Sequence, residues 1–138
     1  MQWDNSLNAG FSDGTPWLKV NPNYKEINVE EALKDPDSVF YYYKKLIALR
    51  KEYHVIVNGD YQLICEDDPD VFSYIRKGDG ETLVVICSFS DQNEEFCLPK
   101  SLSEKSSHLL IGNYDKGEDH DIRKIALKPF EARVYLLK

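Results

Sequence analysis

At Tyr53 the sequence changes its period, and that change divides what the chain is able to fold into. Upstream, Val39, Phe40, Tyr43, Leu46, Ile47 and Leu49 follow closely the i, i+3/i+4, i+7 spacing of one buried helical face. Asp35-Pro36 marks the start of this helix, with Asp35 as cap and Pro36 at the first helical position. Tyr41, Tyr42 and Leu49 widen the apolar surface beyond one stripe, so more than one partner surface is expected to cover it.

Downstream of Tyr53 the runs are short, β-rich and separated by turn residues. Strands are expected at Tyr61 to Cys65, Val71 to Arg76, Thr82 to Phe89, Glu95 to Leu98, His108 to Ile111, Ile125 to Leu127 and Ala132 to Leu137. The acidic turn Glu66 to Asp70 separates the first two, and "KGDGE", with its Asp79-Gly80, predicts a tight hairpin. Thr82 to Phe89 is continuously apolar, as a central strand covered on both faces requires. Ala132, Val134 and Leu136 alternate with Arg133 and Tyr135, which reads as a strand with one inward face. The fold class is therefore mainly β, an antiparallel β-sandwich of roughly 85 residues preceded by a loop and helices. The boundary is placed between residues 1–53 and 54–138.

Before the long helix, Asn28 followed by Val29-Glu30-Glu31 supplies an N-cap and an acidic first turn for a short helix to Leu33. Residues 1 to 27 are irregular, punctuated by Gly10, Gly14, Pro16 and Pro22. A stretch this long is uncommon inside a compact domain unless it is functional or disordered, and Trp3, Phe11 and Trp17 argue against disorder.

Charge and cysteine usage exclude several classes. With 17 Lys+Arg against 24 Asp+Glu the net charge is −7, which repels phosphate backbones and anionic lipid, so no nucleic-acid partner and no membrane partner is expected. The longest aliphatic run, Leu83 to Cys87, is far too short to span a bilayer, and the N-terminus has no signal-like segment. Cys65, Cys87 and Cys97 lie in apolar runs without C-x-x-C pairing, so they read as reduced, buried and inert thiols, and a cytoplasmic location follows.

Chemistry is sparse. "NYDKGEDHD" at Asn113 to Asp121 lacks the order of a calcium loop and reads as a polar hairpin tip, while His54, His108 and His120 are too scattered for a metal site. No metal and no cofactor is expected. No G-x-S-x-G elbow and no phosphate loop occurs. In the opening loop, Trp3 and Phe11 offer faces that stack on sugar C–H groups, with Gln2, Asp4, Asn5 and Asn8 to bond hydroxyls. The same residues equally serve to seat a loop on a domain surface and satisfy its own turns.

"MQWD-S-NAGFS-G-PWL-VNPNY" (Met1 to Tyr24) and "INVEEAL-DPDSVFYYYKKLIALRKEY" (Ile27 to Tyr53) closely resemble the late part of the oligo-1,6-glucosidase group of glycoside hydrolase family 13, which includes dextran glucosidase and trehalose-6-phosphate hydrolase. "LKPFEARVYLL" (Leu127 to Leu137) resembles the close of that family's C-terminal β domain. The resemblance implies a (β/α)8 barrel of which residues 1–53 are the last βα loop and helix, with 54–138 as an α-amylase-type C-terminal domain. It also implies that the nucleophilic Asp, the acid/base Glu, a third Asp and the R-T-P arginine all precede this stretch; nothing in the chain matches them. Met1 is then an internal residue or an artificial start.

On this view the chain holds no catalytic residue, and Gln2, Trp3, Asp4 and Phe11 lie near an α-glucoside substrate in the parent. The expected partner is the missing barrel, and the Phe40/Tyr43/Ile47 face is exposed without it and drives homodimerisation. A free-standing carbohydrate-binding module using the aromatic loop is the alternative.

Overall fold

A computed structural model describes residues 1–114 and 122–138. The chain divides into two compact units, Met1–Ala48 and Leu49–Lys138. The run read as a polar hairpin tip lies outside the described residues from residue 115 onward, as does His120.

In the first unit α1 spans Val29–Lys34 and α2 begins at Val39, ending at Glu52 in the second unit. Asn28 caps α1 as the sequence predicts, its side-chain oxygen accepting from the Glu31 amide at 2.9 Å while its amide nitrogen donates to the Tyr24 carbonyl at 2.9 Å. The start of α2 differs from expectation by three residues. Asp35 turns its carboxylate onto the Asp37 amide at 2.9 Å and its carbonyl accepts from Ser38, so Asp35-Pro36 forms a turn rather than a first helical turn. The carbonyl of Ser38 then accepts from Tyr42, and its hydroxyl ties back to the Ala32 carbonyl at 2.7 Å.

No residue of α2 is fully buried. The face expected to be covered, including Val39 at 82% and Tyr43 at 64% exposure, is open along with Phe40 and Ile47. Leu46 and Leu49 are half-buried.

The second unit is antiparallel sheet with two further short helices. After α3 (Val55–Asn58) come β1 (Asp60–Ile64), β2 (Val71–Gly78), β3 (Glu81–Ser88), β4 (Glu94–Phe96), α4 (Lys100–Ser103), β5 (Ser107–Gly112), β6 (Ile125–Leu127) and β7 (Ala132–Leu137). They form a five-stranded sheet in the order β1-β2-β3-β7-β5 and a pair β4-β6. Asp79 and Gly80 both take positive φ between Gly78 and Glu81, the two-residue turn that the right-handed twist of paired strands favours.

β3 lies at the centre and its residues sort by parity. Val84 and Ile86 enter one core with Ile64, Ile75, Tyr135 and Leu137 of the large sheet, closed by Phe96, Ile125 and Leu127 of the small pair and Leu102 of α4. Leu83 and Val85 enter a second core with Val55, Leu110 and Leu136, against which Leu49, Tyr53 and Ile56 pack. Each such fully buried aliphatic side chain contributes about 1.5–3 kcal/mol, so the sheet is held from both faces.

β7 corrects the one-faced reading of its alternation. Val134 and Leu136 face the second core, but Tyr135 and Leu137 are buried in the first, and Arg133 is buried with them. A guanidinium is tolerated there because Glu131 pairs with it. The thiols also depart from expectation: Cys65 and Cys87 are half-buried and Cys97 is exposed, because Phe96 and Leu98 on either side take the inward positions of that extended stretch.

Candidate functional site

The irregular opening segment has a fixed internal geometry. The Gln2 and Trp3 carbonyls accept from the Val29 and Glu30 amides at 2.9 and 3.0 Å, so this segment satisfies two of the donors that the start of α1 leaves open. The Gln2 side-chain amide donates to the Ile27 carbonyl. Trp3 N–H donates to the Ala9 carbonyl at 3.0 Å, closing a loop around Asp4.

Inside that loop Asn8, Ala9 and Gly10 all take positive φ, at 59°, 55° and 70°. Left-handed backbone costs a non-glycine residue roughly 1–2 kcal/mol, so two such residues in sequence persist only where their surroundings fix them. Those surroundings are visible. Ala9 is fully buried, and the Asn8 amide group donates to the Ser12 and Gly14 carbonyls, each at 2.8 Å.

Beside the loop runs a cleft of about 740 Å³ whose walls include Gln2, Phe11, Trp17, Leu18, Lys19 and Ile27. Of the predicted site residues it brings together Gln2 and Phe11, whereas Trp3 and Asp4 are not on its walls. Trp17, 91% exposed, is the cleft's largest open aromatic surface. It was legible in the sequence as the tryptophan of a Pro-Trp pair, yet nothing in its spacing marks it apart from Trp3.

Asp4 is turned inward on its own turn. Its carboxylate accepts from the Ser6 hydroxyl and from the Ser6 amide at 2.9 Å, and these bonds, the hydroxyl's foremost, hold it below the usual carboxylate range. It is therefore an anion at neutral pH and no proton donor. Among the described residues no carboxylate lines the cleft, and Lys19 is its charged side chain. Among the described residues no three His, Cys, Asp or Glu side chains are grouped to hold a metal ion, and no helix is long and apolar enough to cross a membrane.

The remaining sequence candidates are dispersed. His54 sits at the start of α3, His108 lies on β5, and the acidic turn closes on itself as Asp68 accepts from the Asp70 and Val71 amides at 3.0 and 2.9 Å. Among the described residues, what the cleft offers chemically is a preformed aromatic and amide surface.

Comparison with known proteins shows what the chain is similar to. The family described as "Alpha amylase, catalytic domain" matches residues 1–59. The oligo-1,6-glucosidase of Parageobacillus thermoglucosidasius is 55% identical over 138 residues, all of this chain and 25% of that enzyme. The trehalose-6-phosphate hydrolase of Bacillus subtilis (strain 168) is 44% identical over 99% of this chain and 24% of its own length. Among solved structures, the trehalose-6-phosphate hydrolase of Bacillus licheniformis superposes with a TM-score of 0.91 at 47% identity, covering 99% of this chain and 25% of that one. The chain thus spans about a quarter of the length of these relatives, and 99–100% of its own length is matched by them.

Proposed function

We propose that this chain, similar over its whole length to the oligo-1,6-glucosidases and trehalose-6-phosphate hydrolases of glycoside hydrolase family 13, is the non-catalytic closing part of a longer cytoplasmic α-glucosidase. The parent hydrolyses α-1,6 or α-1,4 glucosidic bonds of oligosaccharides. The observation that carries this reading is the match of residues 1–59 to an α-amylase catalytic domain in a chain that spans 25% of the P. thermoglucosidasius enzyme.

Physical chemistry gives the division of labour. Retaining hydrolysis of a glycosidic bond needs two carboxyl groups about 5 Å apart across the scissile bond, one as nucleophile and one as proton donor. Among the described residues that line the cleft there is none, and both are assigned to the rest of the parent. In the parent the loop from Gln2 to Phe11 lies near the sugar: Phe11 and Gln2 stand on the cleft wall itself as a flat apolar face and a hydrogen-bonding group, and Trp3 and Asp4, which are off that wall, lie close to the substrate within the same loop. The rest of the barrel is the partner that covers Trp17, Val39 and Tyr43. The part from residue 54 onward is an α-amylase-type C-terminal β domain with a structural role. Three cysteines free of disulfides agree with a reducing compartment.

Incubation of the isolated chain with isomaltose or a nitrophenyl α-glucoside tests the division. No turnover above background is expected, and hydrolysis would overturn it.

A second reading has one observation in its favour, the preformed cleft with Trp17 open at its side. It makes the chain a carbohydrate-binding module. Tryptophan fluorescence that changes on titration with isomalto-oligosaccharides would support it, and a flat titration to millimolar sugar removes it.

A further inference from the structure

The side-chain amide of Asn8 has two hydrogens to give, and both are engaged. Its nitrogen donates to the Ser12 carbonyl and to the Gly14 carbonyl, each at 2.8 Å. The Asn8 backbone carbonyl accepts from the Phe11 amide at 3.1 Å. One half-buried residue therefore holds the following stretch at Phe11, Ser12 and Gly14. Within that stretch the Gly14 amide adds a bond to the Ser12 hydroxyl at 3.0 Å. Both side-chain partners of Asn8 are carbonyl oxygens, which fixes the nitrogen as the atom that faces them. Asn8 thus has no side-chain N–H left for a sugar hydroxyl, the use its residue type suggests.

What Asn8 holds is part of the cleft. Phe11, Ser12, Thr15 and Trp17 line it, whereas Asn8 does not. The backbone makes the position demanding, because Asn8 has φ 59° and is followed by the buried Ala9 at 55°. Among residues with a side chain, Asn and Asp enter that region most readily. Of the two only Asn carries N–H donors, since an ionised carboxylate is an acceptor alone. Glycine would satisfy the backbone and give no donor. The position is therefore specified twice, once by its left-handed backbone and once by two donors on a short side chain.

We propose that Asn8 is a positioning residue for the parent's substrate: it fixes the Phe11 side of the cleft in the shape that binds the glucoside, without touching the sugar itself. The proposal rests on the reading that this loop lies near the α-glucoside in a longer α-glucosidase. A wall that is shaped before the substrate arrives contributes equally to ground-state and transition-state binding, so Asn8 acts on KM and leaves kcat nearly as it is.

Asn8→Asp tests the proposal, because it keeps the size and the tolerance of left-handed backbone but sets a carboxylate against two carbonyl oxygens. In the free chain, hydrogen exchange at the Phe11 and Gly14 amides is expected to quicken about fivefold or more, with strand β3 unchanged. Unchanged exchange at those amides would overturn the proposal. Should β3 quicken as well, Asn8→Gly is read in its place.

The second measurement uses a chimera in which this chain replaces the matching quarter of the P. thermoglucosidasius oligo-1,6-glucosidase. Asn8→Asp is expected to raise KM for isomaltose about fivefold or more, with kcat within about twofold. Asn8→Gly, which keeps the backbone and removes the donors, should raise KM in the same way. A wild-type KM in the Gly variant assigns the effect to backbone alone and overturns the proposal. A fall in kcat with KM unmoved, the mark of less folded enzyme, overturns it too. A chimera that is folded by circular dichroism yet inactive before any substitution overturns the parent reading; an active one whose KM ignores Asn8→Asp overturns only the present proposal. If the chimera does not fold, the residue aligned with Asn8 is replaced in the intact P. thermoglucosidasius enzyme, and the same split between KM and kcat decides.

Discussion

The Glu131 carboxylate accepts from the Arg133 guanidinium at 2.7 Å, with the two residues only 4% and 7% exposed at the start of β7. The second carboxylate oxygen accepts from the Lys128 amide at 2.8 Å, and the guanidinium also donates to the Ala126 carbonyl at 3.1 Å. The pair therefore ties the β6–β7 connection together from inside. A buried pair is no more stabilising than a well-packed apolar one, but removing one partner strands the other charge.

Glu131→Gln is expected to cost about 3 kcal/mol near neutral pH for that reason. Burial works against the Glu131 charge, yet the Arg133 hydrogen bond and the Lys128 amide outweigh it and hold the carboxyl below its usual range. A carboxyl depressed on folding contributes stability above its unfolded pKa and loses it as pH falls through the folded value. Urea midpoints of wild type and variant should converge as pH drops below about 4, the ordinary carboxylate range. A gap that stays constant with pH would assign the effect to packing.

Gly59 is required for space, its φ of −65° being ordinary. A Cβ there would stand 2.6 Å from the Val55 carbonyl oxygen and 3.2 Å from Arg76 Cβ. Backbone cannot yield as a side-chain tip does, so Gly59→Ala should cost about 2–3 kcal/mol, at the upper end of ordinary overpacking. A denaturant midpoint unchanged within error would show that α3 shifts freely against β2.

The open face of α2 predicts self-association of the isolated chain. Val39, Phe40, Tyr43 and Ile47 are apolar and exposed together, a combination that monomeric surfaces avoid. Sedimentation velocity should show a concentration-dependent shift to larger species, and Ile47→Lys should abolish it while leaving the circular dichroism unchanged. A wild-type monomer at all concentrations would refute it.

The strands were legible because the β domain's signals are local. An Asp-Gly between two β-rich runs fixes its own turn, and a continuously apolar run such as Leu83 to Cys87 admits only a position covered on both sides. Arg133 was misread because a charged residue within an alternating pattern reads as outward-facing; only the tertiary pairing with Glu131 makes the inward position tenable. Asp35-Pro36 misled for a related reason, since Asp-Pro initiates turns and helices alike, and the bond from Ser38 to Ala32 decides between them. In the candidate site the aromatics were visible, but no local rule announces that Asn8 and Ala9 adopt left-handed backbone, which comes from bonds made across the loop.

That left-handed turn is also where the opening loop is most open to test. Gly10 has φ +70°, and a Cβ added there would lie 2.9 Å from Asp4 Oδ2 and 3.1 Å from Trp3 Cβ. Gly10→Ala therefore combines a disfavoured backbone region, worth about 1–2 kcal/mol, with a clash inside the loop. The Asp4 carboxylate can give way, so the positive φ carries most of the strain, and its relaxation toward ordinary backbone is expected to open the turn and break the Trp3 to Ala9 hydrogen bond. The expected result is faster hydrogen exchange at the Trp3 amide and an altered tryptophan emission, with the exchange of strand β3 unchanged. Ala9→Gly is the control: it keeps the same backbone at lower strain and should leave the Trp3 amide protected. If Gly10→Ala left that amide as protected as in the wild type, the turn would not be what holds the loop, and the loop would owe its shape to the Gln2 and Trp3 bonds to α1 alone.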